Sequence, residues 1–284
     1  MKKILIAFAL LLAAACTPSW QPEGEERLVV EGWIDAGGFP IVMVTTSVPT
    51  STEYQSIDDQ ESHLMRHARV TVSDGENSVI LTGKYNDAYF PPYIYTTSDL
   101  RGVAGKSYSL KVELPSVGLT AIGTTTIPTA VPLDSIWCVP SPDDKGKYNI
   151  KARFSDPEAS EDYYRLFVKV AGKDSSYVAS YMGCMSDSDL PRHAEINVMR
   201  GLSVDNESSW AWNPASFEKG DEVMVKFCTM DRVSYEFWNS YERVVSLSVL
   251  PMFQATYNPA FNVTGGIGYW CGYGASKYTI RVGE

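Results

Sequence analysis

The side chains able to do chemistry in this sequence are few and scattered. Only three histidines occur, and two of them, His63 and His67, stand four apart in Glu61-Ser62-His63-Leu64-Met65-Arg66-His67. On a helix that spacing would put both imidazoles on one face, as zinc ligands are placed. The stretch leads instead into a strand-like run, and nothing nearby completes a ligand set, so two unrelated surface histidines and no metal are expected. His193 follows Pro191-Arg192 and reads as loop. Asp187 and Asp189, and the pair Asp143-Asp144, offer oxygens to calcium, which needs several such ligands converging. They lack the EF-hand spacing and its closing glutamate and read as solvated loop acids. With 34 acidic residues in the chain, no two can be singled out as the carboxylates that a glycosidase sets across its cleft. The GxSxG elbow, HExxH, the P-loop and the dinucleotide fingerprint do not occur. Gly265-Gly266-Ile267-Gly268 lacks the Lys-Ser/Thr of a phosphate loop and runs into Tyr269-Trp270, which points to tight backbone packing near a strand. The expectation is a protein that is not an enzyme and has no cofactor.

The cysteines carry more. Lys2 and Lys3 precede an apolar run over residues 4–12, and Ala13-Ala14-Ala15 then stands directly before Cys16. This is the pattern of an export signal over residues 1–15, cut before a cysteine that receives lipid. Secretion by an ordinary signal with a chance cysteine is the competing account, and the polar, Pro-containing stretch after Cys16 argues against it. The apolar run is shorter than the roughly 20 residues of a spanning helix, so lipid on Cys16 is expected to be the membrane anchor. Residues 16–26, with Pro18, Pro22, Gly24 and three glutamates, read as a flexible tether. Loss of Lys2 and Lys3 takes the formal net charge from −10 to −12, which argues against nucleic acid and against docking on anionic lipid. Cys138, Cys184, Cys228 and Cys271 form an even set in an exported chain and allow two disulfides in three connectivities, of which at least one bridge is expected.

Aromatic residues are the most suggestive candidates for binding. Tyr89, Phe90, Tyr93 and Tyr95 surround Pro91-Pro92, and Trp210 and Trp212 lie between Ser208 and Pro214, all with loop punctuation. Rings on loops can stack on a glycan or peptide ligand, although capping the core or packing between domains would use the same residues. Tyr89, Phe90, Tyr93, Trp210 and Trp212 are therefore carried forward as the candidate ligand surface.

The elements that would position these residues are almost all strands. Over 27–128, period-2 segments at 28–34, 41–46, 70–72, 79–81 and 110–114 are separated by turn residues, with Ser73-Asp74-Gly75-Glu76 as a hairpin signal. Strands so punctuated suggest an immunoglobulin-like β-sandwich. The Pro- and Thr-rich residues 125–132 read as a boundary, beyond which 129–284 form a second β-rich domain with alternation at 148–154, 166–170 and 223–227. Residues 278–282 would close its sheet. One helix is expected, at 232–249, where Ser234, Phe237, Trp238, Tyr241, Val244, Val245 and Ser248 fall at helical spacing before Pro251. Its aromatic stripe reads as core packing rather than a ligand platform.

Four stretches together resemble the DUF4249 lipoproteins of Bacteroidetes. They are Leu28-Val29-Val30-Glu31-Gly32-Trp33-Ile34; Phe154-Ser155-Asp156-Pro157 leading to Tyr163-Tyr164-Arg165; Tyr235-Glu236-Phe237-Trp238; and Asn258-Pro259 through Asn262-Val263-Thr264-Gly265-Gly266-Ile267-Gly268-Tyr269-Trp270. They span nearly all of the chain after the tether, in the family's order. The resemblance implies an outer-membrane, lipid-anchored protein that serves as an accessory or ligand-binding partner of a TonB-dependent receptor in nutrient uptake. It carries over no catalytic residue. Glu23, Glu25 and Glu26 resemble the acidic signal for the cell surface, though further from Cys16 than in its usual form, and Asp134-Ser135-Ile136 resembles an O-glycosylation site of these bacteria. A cell-surface adhesin or structural module, and a hydrolase with dispersed acids, are the alternative functions.

Overall fold

The computed structural model describes residues 26–47, 63–157, 160–201, 215–248 and 259–284. Among these residues, sixteen strands and one α-helix follow in chain order. These are β1 (Leu28–Asp35), β2 (Ile41–Thr46), β3 (Arg69–Ser73), β4 (Ser78–Ile80), β5 (Thr82–Tyr85), β6 (Tyr93–Thr96), β7 (Ser107–Leu114) and β8 (Leu119–Thr126), followed by β9 (Leu133–Pro140), β10 (Tyr148–Ser155), β11 (Tyr163–Val170), β12 (Val178–Ser186), β13 (His193–Val198), β14 (Glu222–Met230), α1 (Arg232–Ser248), β15 (Val263–Thr264) and β16 (Gly266–Arg281). The protein is mostly β and packs its sheets as sandwiches, as the alternation of its strands requires.

Eight strands form one long sheet in the order β12-β11-β14-β16-β1-β2-β6-β5. One face carries two smaller sheets. The five-stranded sheet β15-β8-β7-β3-β4 covers the β1 end and the three-stranded sheet β13-β10-β9 covers the β11 end. The first core is built on Leu28, Val30 and Ile34 of β1 with Val70, Val72, Leu110, Val112 and Trp270. The second gathers Ile150, Ala152, Phe154, Tyr164, Leu166, Val168 and Phe227. On the opposite face lies α1, over Tyr163, Phe167, Cys228, Met230, Cys271 and Tyr273.

This arrangement corrects the division at residue 128. The two cores do lie on either side of residues 125–132, but the strands on either side of that point join one continuous sheet. The joint is β16. Its first half pairs in parallel with β1, Leu28 opposite Gly266 through Asp35 opposite Tyr273. Its second half pairs antiparallel with β14, Met230 opposite Tyr273 through Glu222 opposite Arg281. Residues 27–128 are therefore not a self-contained sandwich, since Val263 and Trp270 complete their core.

The glycines of β16 make that joint possible. A Cβ on Gly268 would stand 1.9 Å from the Val30 carbonyl oxygen, and one on Gly274 would stand 2.4 Å from that of Pro128. Only backbone without side chains admits such approach. Trp270, which stands among these glycines, is fully buried and donates from Nε1 to the Tyr108 carbonyl at 3.0 Å. Asn262 closes the turn into β16 by bonding both the N–H and the C=O of Trp270 at 2.8 Å. The hairpin expected at residues 73–76 is present between β3 and β4, with Asp74 accepting from Asn77 N–H at 2.8 Å and Gly75 at φ +90°.

The expected disulfide is not formed: Cys138, Cys184, Cys228 and Cys271 are all free thiols. Register explains this for Cys184 and Cys228. Arg165 of β11 stands opposite Cys184 on one side and Cys228 on the other, so the two cysteines are two strand spacings apart, roughly 9.6 Å. A bridge needs Cα atoms within about 7 Å. Cys271 lies four residues along β16 from Ala275, the partner of Cys228, and Cys138 belongs to the three-stranded sheet.

Candidate ligand-binding site

The period of β1 puts Leu28, Val30 and Ile34 into the first core and turns Val29, Glu31 and Trp33 toward the helix side. On β16 the same alternation turns Ile267, Tyr269, Cys271 and Tyr273 to that side, with Glu31 directly opposite Tyr269. Next to this first half of β16, β14 has already ended at Met230 and the chain turns into α1. The helix start is fixed by Asp231, whose carboxylate accepts from Ser234 N–H at 2.9 Å and from Thr126 N–H and Thr125 Oγ1 at 2.7 and 2.8 Å. One side chain thus caps the helix and ties it to residues 125–126.

Between α1 and the sheet lies a cavity of about 310 Å³. Val29, Glu31, Ile267 and Tyr269 form its floor, and Phe237, Trp238, Tyr241 and Glu242 of α1 cover it. Residues 178–182 of β12 make one side and Pro259 and Phe261 another. The β12 wall comes from an irregularity: pairing with β11 jumps from Arg165–Cys184 to Phe167–Ala179, and Met182 is held at φ +50° with its side chain largely exposed. The opposite wall is held by Ser240, whose Oγ accepts from Ala260 N–H at 2.7 Å.

The rings form one contiguous group. Tyr269 lies 4.7 Å from Phe237 and 5.2 Å from Trp238, and Tyr241 lies 5.7 Å from Trp238, between centroids. Arg165 points into this group from β11. Its guanidinium sits 4.5 Å over Trp238 and pairs with Glu242, a buried cation held by a carboxylate and a ring face. Glu242 also accepts from the N–H groups of Gly183 and Cys184 at 3.0 and 3.2 Å, so the helix is latched to the β12 irregularity. Arg165 Nε is buried without a hydrogen-bond partner among the described residues.

Glu31 differs from Glu242. It has neither hydrogen bond nor ion pair among the described residues, and burial raises its carboxyl above the usual range. Tyr241 and Tyr269, which feel its charge, are likewise raised, first by burial and then by Glu31. Deeper on the same face, Lys226 Nζ meets Asp35 at 2.6 Å, a separate buried pair. The thiols beside the site are inert: burial pushes Cys184, Cys228 and Cys271 up to about 12.

Of the aromatic candidates named from sequence, Tyr89, Phe90 and Tyr93 are described, and they do not line this cavity. Tyr89 packs 5.9 Å from Trp33, and Phe90, exposed, precedes Pro91 through a cis peptide bond. Tyr93 stacks edge-on to Tyr95, and the Tyr95 hydroxyl donates to Met65 O at 2.6 Å, which makes this pair part of the first sandwich. Trp210 and Trp212 lie outside the described residues, as do Cys16, Glu23 and Glu25. The stripe on α1, expected to be core alone, is both: Phe237 and Trp238 are buried and also cover the cavity. His63 and His67 both sit in turns, on either side of the bridge at Leu64, rather than on a helix, with His63 Nδ1 3.2 Å from Thr46 Oγ1. Asp187 and Asp189 form a short 3-10 turn, Asp187 accepting from Asp162 N–H, and Asp144 accepts from Ser216 Oγ.

Glu31 and Arg165 escaped the sequence reading, yet a signal was present. Leu28-Val29-Val30-Glu31-Gly32-Trp33-Ile34 and Tyr163-Tyr164-Arg165-Leu166-Phe167-Val168 are apolar on both faces, as strands buried on both sides are. A single charge inside such a run has to be paired or functional.

No curated protein matches the chain. The match that does stand covers nearly the whole length, residues 17–279, and takes in β1, the latch at Arg165, the aromatic turn of α1 and the glycines of β16. By that match the chain belongs to the family described as Domain of unknown function (DUF4249).

Proposed function

We propose that this protein is a non-enzymatic, lipid-anchored outer-membrane protein that binds a small ligand under α1 and serves as an accessory of a TonB-dependent uptake system. The observation that carries the binding role is the cavity itself. At about 310 Å³ it falls at the small end of the range for ligand pockets, with apolar and aromatic walls and few polar groups, as such pockets have. Among the described residues its ionisable groups are not arranged for turnover: Arg165 and Glu242 are committed to each other, and Glu31 has no nucleophile or acid partner at hand. Anchoring rests on the Ala13-Ala14-Ala15-Cys16 pattern and the tether after it. The transporter partnership rests on the family resemblance.

The experiment is a mild-detergent pull-down of the tagged, natively lipidated protein from its own outer membrane, with mass spectrometry of what accompanies it. Stoichiometric recovery of a TonB-dependent receptor is expected. Recovery of the protein alone, from membranes rich in such receptors, would overturn the stable complex and favour a free-standing binding protein or an adhesin. Cys16→Ser should release the protein from the membrane and abolish palmitate labelling.

A further inference from the structure

The cavity under α1 has apolar walls but is not electrically balanced. Glu242 and Arg165 neutralise each other, and Glu242 is satisfied further by two backbone N–H groups. Among the described residues Glu31 then remains as the one carboxylate of the lining with no counter-charge, on the floor and across from Tyr269. Glu31 is half-buried and faces the open cavity, and a neutral ligand covering an unpaired carboxylate would cut it off from water at a cost. An anionic ligand would add repulsion, since Arg165, the one cation among the described lining residues, is committed to Glu242. A cationic ligand restores neutrality. The rings point the same way, because Tyr241, Tyr269 and Trp238 stand close together beside Glu31, and aromatic faces attract organic cations.

We propose that the cavity selects a small organic ammonium carried on an apolar or aromatic body, with the charge against Glu31 and the body among Trp238, Tyr241 and Tyr269. This rests on the reading of the cavity as a ligand site and narrows it to one ligand class. The volume, about 310 Å³, suits a compact molecule of one ring or a short chain. Glu31 acts as the residue that sets specificity.

The test uses the full lipidated protein in non-ionic detergent and isothermal titration with three probes of nearly equal size: phenethylammonium, 2-phenylethanol and phenylacetate. Phenethylammonium should bind about tenfold or more tightly than 2-phenylethanol, and phenylacetate should not bind. Glu31→Gln should erase the preference for the cation, bringing phenethylammonium to the affinity of 2-phenylethanol, while the far-ultraviolet circular-dichroism spectrum keeps its β shape and the melt is no lower than the parent's. Equal affinity for cation and alcohol, or a cation preference that survives Glu31→Gln, overturns the inference and leaves the cavity as a ligand site. Binding of none of the three removes the cavity from the proposed function as well.

Discussion

At the scale of single residues, Glu31 makes the structure less stable than it could be. Its carboxyl is raised because ionisation inside the cavity gives up hydration without a compensating partner. A raised acid is held more firmly protonated in the folded chain than in the unfolded one. The penalty is therefore full above the folded-state value and is relieved as pH falls through it toward the unfolded value. The titratable and charged groups that share the cavity with Glu31 among the described residues are Tyr241 and Glu242 from α1, Tyr269 from β16, Tyr181 from β12 and Arg165 from β11. Glu31→Gln is expected to raise the melting temperature by a few degrees at pH 8, with the gain shrinking in acid. A variant less stable than the parent at pH 8 would mean that the carboxylate already has a partner. The cysteines give a second expectation at this scale. With the four thiols of the body free and three of them pushed up to about 12, reductant should leave the melting temperature unchanged. Alkylation of Cys228 and Cys271 should require denaturant. A melt that drops on adding dithiothreitol would reveal a bridge.

At the scale of elements, α1 is the piece that makes a site out of a sheet face, and Asp231 decides where it begins. The carboxylate serves Ser234 N–H, Thr126 N–H and Thr125 Oγ1, and Thr125 Oγ1 in turn accepts from Gly272 N–H at 2.8 Å. Asp231→Ala removes the helix cap and strands two donors on residues 125–126. A loss of about 2–3 kcal/mol is expected in urea unfolding; Asp231→Asn, which keeps an acceptor, should recover part of it. A cost below the range of an ordinary surface substitution would show that water replaces the carboxylate. The helix was legible in sequence because Phe237, Trp238 and Tyr241 keep the 3.6-residue period. Its partner surface was not. Period alone shows that Phe237 and Trp238 face something apolar, and it cannot show that β14 stops at Met230 and leaves a gap beside β16 for the helix to roof. The glycine cluster was legible as close packing, since Gly268 and Gly274 have no other use than to admit backbone. What it packs against is set by pairings some 240 residues apart in the chain, Leu28 with Gly266, which no local pattern carries.

At the scale of the molecule, the decisive feature is that one strand belongs to both halves. The sequence divides at residues 125–132 by composition, and the cores divide there too, but β16 contributes Trp270 and Gly266–Gly272 to the first half and Tyr278 and Ile280 to the second. Folding of the first sandwich must then wait for the end of the chain. A fragment ending at residue 130 would leave β1 with an unpaired edge along eight residues and a vacancy where the indole of Trp270 fills the first core. Exposed edges of that kind invite association, and removal of a buried Trp side chain alone costs about 3–5 kcal/mol. The fragment 26–130 is therefore expected to show no cooperative melt and to aggregate, whereas the full body should unfold in one transition seen alike by Trp fluorescence and far-ultraviolet circular dichroism. Adding a peptide of residues 259–284 to the fragment should restore part of the β signal by pairing with β1. A sharp melt for the fragment alone would mean that β16 is an addition to a finished sandwich, and the cavity under α1 would then be a contact between two independent bodies rather than a feature of one.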